Sequence, residues 1–295
     1  MTLSIKQQLL LMNQYYGYHD CWNYWQCYRQ HESCLAQLSY NQLNAMLKLL
    51  HQRGFLSTYH EILNVDCHTL DKWLQTSIMI GETNYPLYWY HIPKPPLIIY
   101  FQGHLSVLKK PTVSIIGTRN ISPYGIDICR DITQAIVEKG WVTVSGMAKG
   151  VDAFVHRTSL DTANQSTIAI IPNGFDITYP ACNREIKDSI IRQGLLLSEY
   201  HSSTPVRKFQ FIMRNRLVAG ISPVTLIIEA AQRSGSLITA NYALQYNREV
   251  MALPGPINSA TSQGCHELIY QGARPIISIP QLIEDLECIF DNRLI

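Results

Sequence analysis

Charge is scarce in this chain. Asp, Glu, Lys and Arg make up 16% of its 295 residues, and the net charge is +2 at pH 7. A molecule-wide field that steers a polyanion is therefore excluded, and any such partner needs a local patch. Close cysteine pairs are missing as well. Cys21, Cys27, Cys34, Cys67, Cys129, Cys182, Cys265 and Cys288 include no Cys-x-x-Cys and no tight metal-type spacing. Neither a disulfide framework nor a metal site is expected, and the expected compartment is the reducing cytoplasm. No basic-then-apolar leader opens the chain, and no apolar run reaches the roughly 18 residues of a membrane span, so no membrane partner is expected.

The motifs of nucleotide and acyl chemistry are also absent. Without Gly-x-x-x-x-Gly-Lys-Ser/Thr there is no support for P-loop hydrolysis. No Gly-x-Gly-x-x-Gly follows the first strand of the repeating region described below, and no acidic residue closes the second, so a dinucleotide cofactor is not expected. There is no Gly-x-Ser-x-Gly elbow, and Ser234-Gly235-Ser236 has no histidine partner in the sequence. The chain is expected to use no cofactor and to be no enzyme.

What is present falls into three stretches. Residues 1–82 are rich in Leu, Gln, His, Tyr and Trp. Leu43, Met46, Leu47 and Leu50 recur at helical spacing ahead of Gly54, which predicts a small all-helical domain. Its aromatics Tyr15, Tyr16, Tyr18, Trp22, Tyr24, Trp25 and Tyr28 could stack bases, but the preferred reading is that they form its core. Cys27, His31 and Cys34 would share a helix face, a spacing that small buried thiols explain as well as a metal does. Residues 83–111 carry Pro86, Pro93, Pro95, Pro96 and Pro111 and form an ordered connector with one short strand at Leu97–Phe101. Residues 112–295 alternate apolar β-rich runs with helical segments, the strands being expected at 112–117, 141–145, 167–171, 195–199, 224–229, 249–253 and, weakly, 275–279. Ser122 as cap, Pro123 at the first position and Gly140 past the end bracket the first of these helices. Continuously apolar strands joined by helices build an α/β fold, a parallel or mixed sheet with helices on both faces.

Ligands of such a sheet bind beyond the carboxyl ends of its strands. Those ends carry Gly117-Thr118-Arg119, Ser145-Gly146-Met147-Ala148-Lys149, the loop Tyr179 to Arg184, Glu199 followed by Arg214-Asn215-Arg216, and Glu229 followed by Arg233-Ser-Gly-Ser236. Glycines let a backbone approach a ligand, hydroxyls and amides donate, and guanidinium groups fork onto phosphate oxygens. Repetition along one edge points to an anionic, nucleotide-like ligand. His156, on the helix after the second strand, is read as structural. Glu199 and Glu229 form either an acid/base pair or two internal partners, capping helices or pairing with Arg214 or Arg216, and the second reading is preferred.

Several blocks, in order over most of the chain, resemble the DNA-processing protein A family (DprA/Smf). They are Ile115-Ile-Gly-Thr-Arg119 with Ser122-x-Tyr124-Gly125, Val144-Ser-Gly-Met-Ala-Lys-Gly-Val-Asp152, Thr167 to Gly174, Arg214-Asn-Arg-Leu-Val-Ala-Gly220, and Ser234-Gly-Ser-Leu-Ile-Thr-Ala240. The resemblance implies a Rossmann-like domain preceded by a SAM-like helical domain. It also implies a single-stranded DNA-binding homodimer that protects incoming DNA and helps load the RecA recombinase in natural transformation. By motif, the implied DNA contacts are Gly117, Thr118, Arg119, Ser145, Gly146, Ala148, Lys149, Asn183, Arg184, Arg214, Asn215 and Arg216. Three departures stand out. Ile212-Met213 precede Arg-Asn-Arg where the family often has Phe-Pro, the Gly-Ser-Arg turn is Gly-Thr-Arg, and the stretch after the last strand is expected to be too short for the winged-helix domain that some members carry. The alternative from another class is a Rossmann-like nucleoside monophosphate hydrolase. It would need Gly-Gly-x-Gly-Thr-x-x-Glu where the chain has Arg233-Ser-Gly-Ser-Leu-Ile-Thr239 with no glutamate following.

Overall fold

A computed structural model describes residues 2–291, without the side chains of residues 33 and 34. The Cys34 side chain expected beside Cys27 and His31 is thus outside the described residues. The chain forms two compact units. One is built from residues up to Tyr85 plus Pro96–Tyr100, the other from Pro86–Pro95 plus Phe101 onward. The proline-rich stretch is thereby divided between the two.

The first unit holds helices Ile5–Tyr15, Tyr18–Gln30, Tyr40–Gln52 and Cys67–Gln75. Ser4 and Ser39 open the first and third with capping boxes to Gln7 and Gln42, which satisfies amides that a helix start leaves unpaired. Leu43, Leu47 and Leu50 face inward as their spacing predicts. The core, however, is mainly aliphatic. Leu9, Leu10, Leu11, Leu43, Leu47 and Leu70 are buried, whereas of the aromatics expected there only Tyr16 and Tyr24 are. The first, third and fourth helices supply this apolar volume. Tyr18 instead stacks on Trp22 and Trp25 on Tyr28, with centroids 6.0 and 5.3 Å apart, along the less buried side of the second helix. Ser77–Met79 pairs antiparallel with Ile98–Gly103, Ile78 opposite Ile99.

In the second unit strands and helices alternate: β1 (Thr112–Ile116), α1 (Pro123–Glu138), β2 (Val142–Ser145), α2 (Val151–Thr162), β3 (Thr167–Ile171), α3 (Arg184–Gln193), β4 (Leu195–Ser198), α4 (Lys208–Gly220), β5 (Val224–Ile227), α5 (Gly235–Gln245), β6 (Glu249–Ala252), α6 (Gln263–Tyr270), β7 (Arg274–Pro275) and α7 (Ile279–Asp291). The order across the sheet is β7-β6-β5-β1-β2-β3-β4, with every neighbouring pair parallel. Alternation along β1 sets the layers. Val113 and Ile115 join Cys129, Ile132 and Ile136 of α1 and Leu282 of α7 in one core, while Ser114 faces α4 and donates to the Val218 carbonyl at 2.6 Å. The weak strand expected at 275–279 is only two residues long. Ile276 still donates to the Ala252 carbonyl at 3.0 Å, and α7 begins three residues later at Ile279. Because β1 sits between β2 and β5, successive strands leave it in opposite directions. The crevice outside its carboxyl end is the switch point where this fold binds ligands.

Candidate nucleic-acid interface

A cleft of about 450 Å3 opens at that crevice, and a smaller one of about 170 Å3 adjoins it. Arg119, Gly146, Ala148, Phe211 and Arg214 line both. Gly117, Thr118 and Asn215 complete one wall of the larger cleft, and Ser234, Gly235, Ser236 and Thr239 at the start of α5 form another. Lys149, Tyr179 and Pro180 border the smaller.

Two arginines meet here in different states. Arg119 follows β1 on a tight loop and is exposed, its guanidinium carbon 6.0 Å from the centre of the Phe211 ring. Phe211 in turn meets Tyr179 edge-on at 5.3 Å. Arg214, one turn further along α4, is only 6% exposed. Its Nη1 donates to the carbonyls of Gly146 and of Ile170 (2.7 Å to the latter), and its Nε to Asn215 Oδ1 at 3.1 Å. A Cβ at Gly146 would occupy the place of this guanidinium, so the glycine is what lets α4 approach the end of β2. Burial lowers the Arg214 pKa, with Asp152 pulling the other way and the field of Arg119 adding to the fall.

Asp152, in the first turn of α2, lines the floor of the larger cleft and accepts from the Ala148 amide at 3.1 Å. Burial raises its pKa, with Arg214 pulling the other way. His156, one turn on, is fully buried with Nδ1 2.8 Å from Thr167 Oγ1 and Nε2 without a partner. Burial first, then the nearby Arg214 charge, pushes its pKa down to about 3, so it is neutral at pH 7 and structural.

The remaining expected contacts separate by burial. Ser145 is buried and its hydroxyl donates to the Ile115 carbonyl at 2.7 Å, tying β2 to β1. Asn183 is buried too, and its amide donates to the carbonyls of Met147 (3.0 Å) and Ala148 (3.1 Å), fixing the turn ahead of α2. Arg216 is 2% exposed, forms an ion pair with Glu199 at 2.5 Å, donates to the Lys94 carbonyl, and lines neither cleft. These three side chains face inward and are engaged with the protein. Glu199 and Glu229 are not an acid/base pair, since Glu229 holds the start of α1 and Glu199 holds Arg216. Arg184 is exposed at the first residue of α3 and lines neither cleft, while Lys149 is exposed on the rim. The α5 start joins the cleft as part of the strand-end edge expected from sequence, although not among the implied DNA contacts, whereas no strand-end motif marks Phe211. The available signal was Phe211 three residues before Arg214, one helical turn away on the same face.

Fold and site together define a Rossmann-like α/β protein with a cation-rimmed cleft at its strand ends. Residues 76–287 match the family described as DNA recombination-mediator protein A, and the chain belongs to that family, the DprA/Smf proteins. It is 37% identical over 235 residues to DNA processing protein DprA of Streptococcus pneumoniae, which covers 79% of this chain and 82% of that one. Protein Smf of Synechocystis is 39% identical over 212 residues, 70% of this chain, and the chain spans about half (53%) of that relative's length. The crystal structure of the S. pneumoniae protein superposes with a TM-score of 0.81 at 29% identity, covering 96% of this chain and 98% of that one. A structure of DNA processing protein A from Helicobacter pylori, described for its single-stranded DNA binding mode, reaches 0.66 at 32% identity over 71% of this chain and 95% of that one. Among the described residues no helix is long and apolar enough to cross a membrane.

Proposed function

We propose that this recombination mediator binds single-stranded DNA across the ends of β1, β2 and β3, protects incoming strands in natural transformation, and helps load RecA, acting as a cytoplasmic homodimer without chemistry on the DNA. One observation carries the reading. An exposed guanidinium, Arg119, stands over an aromatic ring, Phe211, at the mouth of a cleft walled by glycine and hydroxyl residues. A guanidinium forks onto phosphate oxygens, and a ring beside it offers a stacking face to any base. Lys149 and Arg184 extend the positive edge, while Ser145, Asn183 and Arg214 hold the loops in shape. Single strands suit the shelf because a duplex hides the faces of its bases. The H. pylori relative's described binding mode supports the same ligand.

Fluorescence anisotropy with labelled oligothymidylate and duplex of equal length tests this. Tighter binding of the single strand is expected, with a log–log salt slope of about −0.7 per phosphate contact. Equal affinity for duplex would remove the aromatic shelf from the account. The RecA role is read from the lag of its DNA-dependent ATPase, which the protein is expected to shorten.

A further inference from the structure

Two helices start at the switch point, α1 after β1 and α5 after β5. In a sheet of this order a nucleotide phosphate sits at the N-terminus of the first, against free N–H groups and the positive end of the helix dipole. Here the chain fills that position itself. Glu229, two residues past β5, is 2% exposed. Its Oε2 accepts from the Ser122 amide at 2.8 Å, and its Oε1 from the hydroxyls of Ser122 at 2.7 Å and Thr261 at 2.9 Å. The Ser122 hydroxyl in turn accepts from the Gly125 amide at 3.0 Å. A Cβ on Gly125 would stand 2.5 Å from Oε2, so the helix approaches the carboxylate as closely as glycine alone allows.

Among the described residues Glu229 has no ion-pair partner. A buried anion is thus held by N–H and O–H donors and a helix terminus, as a bound phosphate would be. Its main-chain carbonyl also accepts from the Thr118 amide at 2.7 Å. The residue therefore fastens the loop that carries Arg119 on both sides, at Thr118 and at Ser122. It lines neither cleft, which leaves it no access to a substrate.

We propose that Glu229 is a built-in substitute for a nucleotide phosphate. It closes the mononucleotide seat of the fold and sets the position of Arg119, so that free nucleotides do not take the first helix start and the strand-end edge is left to a DNA backbone. It is a positioning and specificity-determining residue. Only the clause about DNA rests on the function proposed above.

The test replaces the carboxylate and offers the anion back. Melting midpoints of the full chain are measured for wild type and Glu229→Ala in acetate, inorganic phosphate and chloride at matched ionic strength. The variant is expected to melt lower, and acetate and phosphate to raise its midpoint over chloride by several degrees more than they raise wild type. A loss with no anion-specific recovery, or equal recovery in wild type, overturns the proposal. Should the alanine variant fail to fold, Glu229→Gln keeps the size but turns an NH2 group toward donors. It is expected to melt lower and to bind oligothymidylate several-fold more weakly, and a Gln variant equal to wild type in both overturns the proposal. The melting arms contain no DNA, so failure of wild type to bind oligothymidylate counts against the proposed function and leaves this test standing.

Discussion

Arg119 and Arg214 border the same cleft and belong to different parts of the molecule's economy. Arg119 is solvent-exposed, with the Phe211 ring at its side. Arg214 is enclosed, bonded to two strand-end carbonyls and to Asn215, within the field of Asp152. The contrast shows that residue type and place at a strand end do not assign a role. A cation whose donors already have partners shapes the cleft, while one whose donors face water is available to a ligand. Arg216 repeats the lesson, with its guanidinium closed onto Glu199.

The comparison is broken most forcefully at Arg214. Arg214→Ala strips a donor from the Gly146 and Ile170 carbonyls and removes the charge that favours the Asp152 carboxylate, so a loss of about 2–4 kcal/mol in urea unfolding is expected. A variant of normal stability that fails to bind DNA would place Arg214 beside Arg119 after all. A second route runs through His156, which feels the Arg214 charge. Its folded pKa of about 3 lies below the ordinary value near 6.5, so the unfolded chain takes up the proton first. Stability from this residue is full above about pH 6.5 and falls by about 1.4 kcal/mol per unit as pH drops toward 3. Urea midpoints between pH 7 and 5 should show that fall, and His156→Gln should flatten it.

Smaller effects sharpen the exposed side. Phe211→Leu removes the stacking ring and is expected to weaken oligothymidylate binding by about 1–2 kcal/mol with little sequence preference. Unchanged binding would separate Arg119 from any aromatic shelf. Arg184→Ala, at an exposed cation outside both clefts, should cost only a few-fold in affinity at low salt and nothing measurable in melting.

Six of the seven strands of the second unit were legible to within one or two residues because strands buried on both faces read as unbroken apolar runs, while the seventh, expected at 275–279, is only Arg274–Pro275. Ser122, Pro123 and Gly140 likewise marked α1 by local chemistry alone. The cleft was legible as an edge and not as a set of contacts. The inward turn of Arg214 depends on Gly146 and Ile170, carbonyls from two other strand ends, and nothing near Arg214 in sequence announces them. Ser145 and Asn183 carry the right donors, but their use on Ile115 and on the turn at Met147 follows from packing. The first unit misled for a related reason. Its aromatics cluster in one helix, while the buried volume comes mainly from leucines of the other helices.

The central claim is that the exposed arginine at the end of β1 grips a DNA backbone. Arg119→Ala, titrated with oligothymidylate over a range of salt, tests it most directly. The account predicts affinity down roughly tenfold, a salt slope shallower by about 0.7, equal losses for different sequences, and an unchanged melting midpoint. Affinity and slope equal to wild type would contradict it.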